Sequence, residues 1–237
     1  QMCIRDRGKG HQVVFGVIIG TGVGGGISIN QKVIRGRNSI SGEWGHIVLP
    51  GRTEEEKKYV KKCYCGKNGC LETYISGPGF SSAYNLRFNK NYNSHQILEG
   101  FISNEENSIF ALNQYIDHLA RGLSVVCNIL DPDVIVLGGG MSNIDFIYEN
   151  INDTLKKYVF TDTLETKVVK NVYGMGMPGA ISNDTALIKN ANSIWLNGKP
   201  FKQDLDKILS RNVNLENDAN CFTPVSYTHL TLPTTDR

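Results

Sequence analysis

The chain has no apolar run approaching the ~20 residues that a membrane helix requires, so no membrane partner is expected. Its start, Gln1-Met-Cys-Ile-Arg-Asp-Arg7, lacks the apolar centre of a signal peptide. Excess charge is missing as well. Twenty-five basic against 23 acidic residues leave a net charge of +2 over 237 residues, which gives no reason to expect nucleic acid as partner. Cysteine is sparse, six in all, and Cys3, Cys127 and Cys221 are scattered. That is not the layout of a disulfide framework. The chain is therefore expected in the cytoplasm with its thiols reduced. It is long enough to bury a substantial core, as one large domain or two lobes.

What is present begins with Val13-Val-Phe-Gly-Val-Ile-Ile19, an apolar, β-branched run short enough for a buried strand. It leads into Gly20-Thr-Gly-Val-Gly-Gly-Gly26 and then Ile27-Ser-Ile-Asn30, which predicts strand, glycine-rich turn, strand. Residues 52–62, "RTEEEKKYVKK", read as a charged, solvated excursion. Helical spacing dominates from Gly77 to about Leu130, where Phe110, Leu112, Tyr115, Ile116, Leu119, Leu123 and Val126 can line one face. Asp131-Pro132 breaks it. Val134-Ile-Val-Leu137 is a second buried strand, ending in Gly138-Gly-Gly140, and Ser142-Asn143 is expected to cap the next helix. Beyond Gly174, Gly176-Met-Pro-Gly179 predicts a turn and Lys202 to Leu209 a short amphipathic helix.

Glycines after an apolar strand let the backbone approach an anionic group, with their N–H groups aimed at it. One such turn is weak evidence, because tight hairpins use the same residues. Two of them, Gly20–Gly26 and Gly138–Gly140, each following a buried strand, favour a nucleotide cleft. The first is not a P-loop, since no Gly-Lys-Ser/Thr follows. Nor is it a dinucleotide fingerprint, since the apolar run resumes where a helix should open.

The stretch "CYCGKNGC" packs Cys63, Cys65 and Cys70 into eight residues. Its glycines allow the loop to curl three thiolates round one centre. Tetrahedral zinc needs a fourth ligand, and His46 is the nearest candidate. Ordinary zinc knuckles use Cys-x2–4-Cys pairs, so the spacing is atypical, and a reduced, metal-free loop remains the alternative. If a metal ties His46 to the loop, it draws Glu43 and Glu72 toward one place, where carboxylates and an imidazole are good acceptors for sugar hydroxyls. Alone, each Glu reads as surface charge. Glu216-Asn-Asp-Ala-Asn220 follows Val213 and Leu215, whose alternation suggests a strand end. An Asp there can act as a general base, or the segment can be an Asx-rich turn.

Taken together, "GTGVGGG", "GEWGH", "CYCGKNGCLETYISGPGF" and "LDPDVIVLGGGMSN" resemble, in this order, the ROK family of repressors and sugar kinases. The likeness runs from residue 8 to about 174. It is greatest to bacterial fructokinase-like members, with N-acetylglucosamine kinases and glucokinases next. The resemblance implies an α/β, actin/hexokinase-like ATPase fold (ribonuclease H-like), here with the carboxy-terminal lobe nearly complete and the amino-terminal lobe a fragment. It implies His46, Cys63, Cys65 and Cys70 as structural Zn2+ ligands, and Glu43, His46 and Glu72 as sugar contacts. Gly20, Thr21, Gly22, Gly24 and Gly25 match a phosphate loop, and Gly138, Gly139 and Gly140 an adenosine motif.

"GMGMPGAIS", "KNANSIWLNGKPF" and "VNLENDANCF" also resemble the family, but out of order, as amino-terminal-lobe sequence that normally precedes "GVIIGTG". There Asn217 matches a sugar-binding Asn and Asp218 the catalytic Asp. The organisation expected is thus 8–174 as one region, 175–223 as a displaced fragment, and 1–7 and 224–237 as non-native tails resembling translated adaptor sequence. Nothing matches the family's Asp-x-Gly-Gly-Thr loop. The implied function is ATP- and Mg2+-dependent phosphorylation of a hexose, with fructose first and N-acetylglucosamine or glucose as the alternative. A homodimer would be compatible with it. A sugar-sensing transcriptional regulator would need a helix-turn-helix, and no such segment is seen. An inactive fragment is the third reading.

Overall fold

The computed structural model describes residues 8 and 10–171, and beyond them 173–177, 180–181, 185, 187–189, 198–208 and 213–217. They fall into two compact units, divided along the chain after residue 171.

The first unit is built on a five-stranded sheet. Its strands are β1 (Val13–Ile19), β2 (Val23–Ile29), β3 (Lys32–Val33), β4 (Val134–Gly138) and β5 (Lys167–Lys170), in the order β3-β2-β1-β4-β5. β1 and β2 form an antiparallel hairpin, Ile19 opposite Val23. β1 runs parallel to β4, Ile18 opposite Gly138, and β4 parallel to β5. β4 is buried along its whole length and β1 nearly so, which is why both read as unbroken apolar runs rather than as alternation.

Six helices join these strands: α1 (Glu54–Lys58), α2 (Glu72–Ile75), α3 (Gly77–Phe88), α4 (Ser94–Ile102), α5 (Glu106–Leu130) and α6 (Asp145–Leu155). Leu112, Tyr115, Ile116, Leu119 and Leu123 of α5 pack with Phe15, Val17 and Ile19 of β1 and with Ile147, Ile151 and Leu155 of α6 in one core. Asp131 ends α5 in the left-handed conformation, φ 47°, with Pro132 behind it to prevent continuation. Among the described residues no helix is long and apolar enough to cross a membrane.

Several local expectations are corrected. Gly24, Gly25 and Gly26 lie within β2, so the turn itself is only Gly20–Gly22. Phe110 is 42% exposed, off the buried face of α5. Ser142 and Asn143 belong to a 3-10 turn, Gly140–Asn143, and do not cap α6; the Ser142 hydroxyl donates instead to the Gly139 carbonyl. Residues 52–62 are not simply solvated. Thr53 and Glu56 form a capping box on α1, and Glu56 is buried.

Glu56 is buried because α5 supplies two partners. His118 Nε2 lies 2.9 Å from its Oε1, and the Arg121 guanidinium is paired with it. Arg121 also donates to the carbonyls of Pro50 and Gly51, 3.0 Å each. Burial opposes the charge on Glu56, but hydrogen bonds from His118, Arg121 and the Thr53 backbone outweigh it and hold the carboxyl far below its usual range. Burial likewise pushes His118 down, toward the neutral ring. Removing one partner of such a pair leaves the others buried and unmatched. Glu56→Ala is therefore expected to cost about 3–5 kcal/mol in urea unfolding at neutral pH. Both shifts are downward, so the native state binds fewer protons than the unfolded one. Wild-type stability is expected to decline as pH falls below about 6.5, and further below about 4.5. A Glu56→Ala loss under 1 kcal/mol would contradict this role.

The second unit holds a parallel pair, β6 (Tyr173–Met177) with β9 (Val213–Asn217). It also holds an antiparallel pair, β7 (Ala180–Ile181) with β8 (Ile188–Lys189), and the helix α7 (Phe201–Ile208). Gly176 and Met177 are thus strand residues, not a turn; Pro178 and Gly179 lie outside the described residues.

Candidate functional site

The turn Gly20–Gly22 leaves the carboxyl end of β1, and Gly138–Gly140 leaves that of its parallel neighbour β4. In open α/β sheets this edge is where ligands bind. Gly139, at φ 88°, lies so close to the Ile19 carbonyl that any side chain would collide with it. Gly20, Gly24 and Gly140 instead face open space, and Thr21 is exposed. Gly25 has a different duty. A Cβ there would stand 2.8 Å from the Gly42 carbonyl oxygen and 2.9 Å from the Trp44 ring. Gly42 (φ 91°) and Gly45 press back on Gly25 and Val23. The glycines of "GTGVGGG" and "GEWGH" thus let the two segments lie backbone against backbone, pinned by Trp44 Nε1 donating to the Gly24 carbonyl at 3.0 Å.

That contact delivers Glu43 and His46. Trp44–His46 form a single 3-10 turn behind Glu43, which is exposed. The cysteine loop returns beside it through a bridge between Val48 and Cys70 and the bond from Leu71 N–H to the Ile47 carbonyl, 2.8 Å. Cys63 Sγ lies 3.6 Å from His46 Nδ1, Cys65 Sγ lies 3.5 Å from Cys70 Sγ, and the four donor atoms are all within 4.8 Å of one another. A zinc tetrahedron with ordinary bond lengths would set its ligand atoms ~3.5–3.8 Å apart. The set fits Zn2+, four donors with no open position. The cysteines are free rather than disulfide-bonded.

Without a cation the thiols are held unevenly. Burial first, and then the neighbouring thiols, push the Cys70 thiol up to about 12. The Lys67 backbone N–H pulls Cys65 down. Three thiolates packed together need a compensating positive charge.

Glu72, the first residue of α2, links the cluster to the glycine turn. Its Oε2 accepts from Val23 N–H at 2.9 Å, its Oε1 lies 3.9 Å from Cys63 Sγ, and Gly22 is packed against the carboxylate. Gly77 N–H, at the start of α3, donates to the Gly20 carbonyl at 2.8 Å. The His46 ring faces two ways. With Nδ1 toward the thiols, Nε2 meets the Tyr64 hydroxyl at 2.9 Å. Tyr64 also senses the acids: Glu72 first, then Cys63 and Glu43, raise its phenol above the ordinary value.

The ROK family model matches residues 4–173 and 162–228. The chain belongs to the ROK family. It is 35% identical over 157 residues to the N-acetyl-D-glucosamine kinase of Erwinia tasmaniensis, covering 65% of this chain and 52% of that protein. Against the same kinase of Vibrio atlanticus it is 34% identical over 172 residues, covering 71% and 57%. The ROK chain thus spans about half the length of the curated relatives it matches.

Among solved structures, the ROK hexokinase of Thermus thermophilus superposes with a TM-score of 0.61 at 21% identity, covering 71% of this chain and 56% of that one. The ROK glucokinase of Streptomyces griseus, solved with glucose and AMPPNP, gives 0.60 at 23% identity, covering 69% and 57%. These neighbours bear out the α/β, actin/hexokinase-like fold, of which this ROK chain covers a part.

The structure therefore gathers Glu43, His46, Glu72, Cys63, Cys65 and Cys70 beside the turn Gly20–Gly22. Gly138–Gly140 stand at the next strand end. Asn217 closes β9, with its side chain outside the described residues, and Asp218 lies outside them entirely. One participant escaped the sequence reading: Tyr64 sits between two candidate ligands, a position that could have marked it. Away from the site, the Thr53/Glu56 capping box was legible, but the partners His118 and Arg121 were not.

Proposed function

We propose that this chain carries the sugar- and zinc-binding part of an ATP-dependent hexose kinase, with N-acetyl-D-glucosamine as its sugar ahead of fructose. The observation that carries the reading is Glu72. One carboxylate joins the glycine turn at the carboxyl end of β1 to the His46/cysteine cluster, so a phosphate-side loop and a hydroxyl-binding cluster share a wall. The sugar follows from the curated relatives, which are N-acetyl-D-glucosamine kinases. They favour the alternative sugar over the fructose expected from the likeness to fructokinase-like members.

Glu43, His46, Glu72 and Asn217 are assigned to the sugar hydroxyls. The turn Gly20–Gly22, with Gly24, is assigned to the ATP phosphates, and Gly138–Gly140 to the adenosine. Asp218 removes the proton of the attacking hydroxyl. Zinc, when bound, supplies shape and charge balance rather than chemistry. Mg2+ supplies charge neutralisation to the phosphates when bound; among the described residues the sole group of three or more metal-ligating side chains is the zinc set, so no residue here is assigned to it. Residues 175–223 are read as amino-terminal-lobe sequence that in the family order precedes Gly8.

A coupled ADP-release assay tests the reading. It compares this chain with one in which 175–223 precede residue 8, each offered N-acetylglucosamine, fructose, mannose and glucose. The expected result is sugar-dependent ADP release with the highest kcat/KM for N-acetylglucosamine. Release with none of the sugars in either order would favour the inactive-fragment reading; a preference for fructose would restore the other sugar. Sequence-specific DNA binding would favour the regulator.

A further inference from the structure

Tyr64 is 83% exposed, yet its ring is held edge-on to the His46 imidazole, centroids 5.2 Å apart at 81°. Its hydroxyl is 2.9 Å from Nε2, the nitrogen that points away from the cysteines. Large exposed aromatics are ordinarily left to water, so a packed and hydrogen-bonded one between two metal-ligand positions calls for a reason. We propose that Tyr64 is a positioning residue: it holds His46 so that Nδ1 faces Cys63, Cys65 and Cys70.

The chemistry runs through the imidazole. A histidine that offers Nδ1 to a cation keeps its proton on Nε2, and that N–H needs an acceptor. The phenol oxygen of Tyr64 is the acceptor in place. Without it, the ring can rotate or adopt the other tautomer, which would turn N–H rather than a lone pair toward the thiols. Outer partners of metal-bound histidines commonly alter metal affinity 10–100-fold. Because Tyr64 is largely exposed, water can take over part of the bond, so the low end of that range applies here. A second consequence concerns the sugar. A hydroxyl approaching Nε2 meets Tyr64 first, so His46 reaches a sugar only by sharing or displacing that contact.

The proposal rests on the zinc reading of His46 and the three cysteines, and its test separates the two. Zinc is titrated against a chromophoric chelator for the full chain, for Tyr64→Phe and for Tyr64→Ala. Phe keeps the ring contact and removes only the hydroxyl. The expected outcome is about 10-fold weaker zinc binding for Tyr64→Phe and a larger loss for Tyr64→Ala, with unchanged melting temperatures in saturating zinc. Wild-type chain that binds no zinc would defeat the zinc reading. Wild-type chain that binds one equivalent while Tyr64→Phe binds equally well would overturn the role of the hydroxyl and leave the zinc reading standing. A loss seen in Tyr64→Ala alone would overturn it too, because ring packing would then be the cause.

Discussion

Purified chain is expected to hold one equivalent of zinc, and stripping that zinc to lower its melting temperature by about 8–16 °C. The size follows from linkage. A ligand that binds only the native state at 1,000 times its Kd adds about 4 kcal/mol, and each kcal/mol shifts the melting of a domain of 150–250 residues by about 2–4 °C. Apart from the thiols, the end of the loop is tied by the Val48–Cys70 bridge and by Leu49 N–H donating to the Gly69 carbonyl at 2.9 Å. Within it, Cys63 N–H donates to the Lys67 carbonyl and Gly66 N–H to that of Cys63, both at 3.0 Å. Gly66 and Gly69 both sit at positive φ; Gly69 is pressed against the Arg52 guanidinium, whereas Gly66 has open space where a side chain would stand.

The large core of β1, β4, α5 and α6, which includes Trp44, does not depend on the loop, so the chain should remain folded without zinc while Cys63–Cys70 and the His46 side chain lose their order. Zinc binding must also release protons. Cys70, held up to about 12 without a cation, has to give up its proton, so affinity is expected to fall as pH falls. Less than half an equivalent of zinc in purified protein, or a melting temperature indifferent to chelator, would rule this role out.

What could be read from residues alone depended on how local its cause was. Val13–Ile19 and Val134–Leu137 were legible because strands buried on both faces leave uninterrupted apolar runs. His46 and the three cysteines were legible because metal donors are few residue types in tight spacing. Glu56 was not. "RTEEEKKYVKK" has every mark of a solvated stretch, and the residues that bury Glu56, His118 and Arg121, come from a helix more than sixty positions away.

The glycines show a subtler limit. Sequence assigns a glycine-rich turn to anion binding, and Gly20, Gly24 and Gly140 do have open space where a side chain would stand. Gly25, Gly42 and Gly45 are glycine for a different reason, the contact of one backbone with another, and only the folded arrangement separates the two duties. Glu72 belongs with them. Its charge looked like surface, but Val23 N–H and the neighbouring thiol give it a fixed place.

Asp218→Asn is the second large effect, an expected loss of about 10²–10⁴-fold in sugar-dependent ADP release, measured in whichever chain order is the more active. The residue follows directly on Asn217, the last of β9, and β9 runs parallel to β6. The carboxyl ends of parallel strands are where α/β proteins commonly place ligands. In the proposed reaction the proton would leave as the sugar oxygen attacks the γ-phosphorus, and Asn offers nearly the same shape with no base. The substitution also discriminates against the competing reading of "ENDAN". Asp and Asn serve an Asx turn equally well, so a purely structural Asp218 would tolerate the change with activity intact. Zinc content should stay at one equivalent in the variant, because His46 and the cysteines belong to the other unit. A severe loss of turnover with zinc and melting temperature unchanged is the signature of a base; near-normal turnover would return Asp218 to the turn.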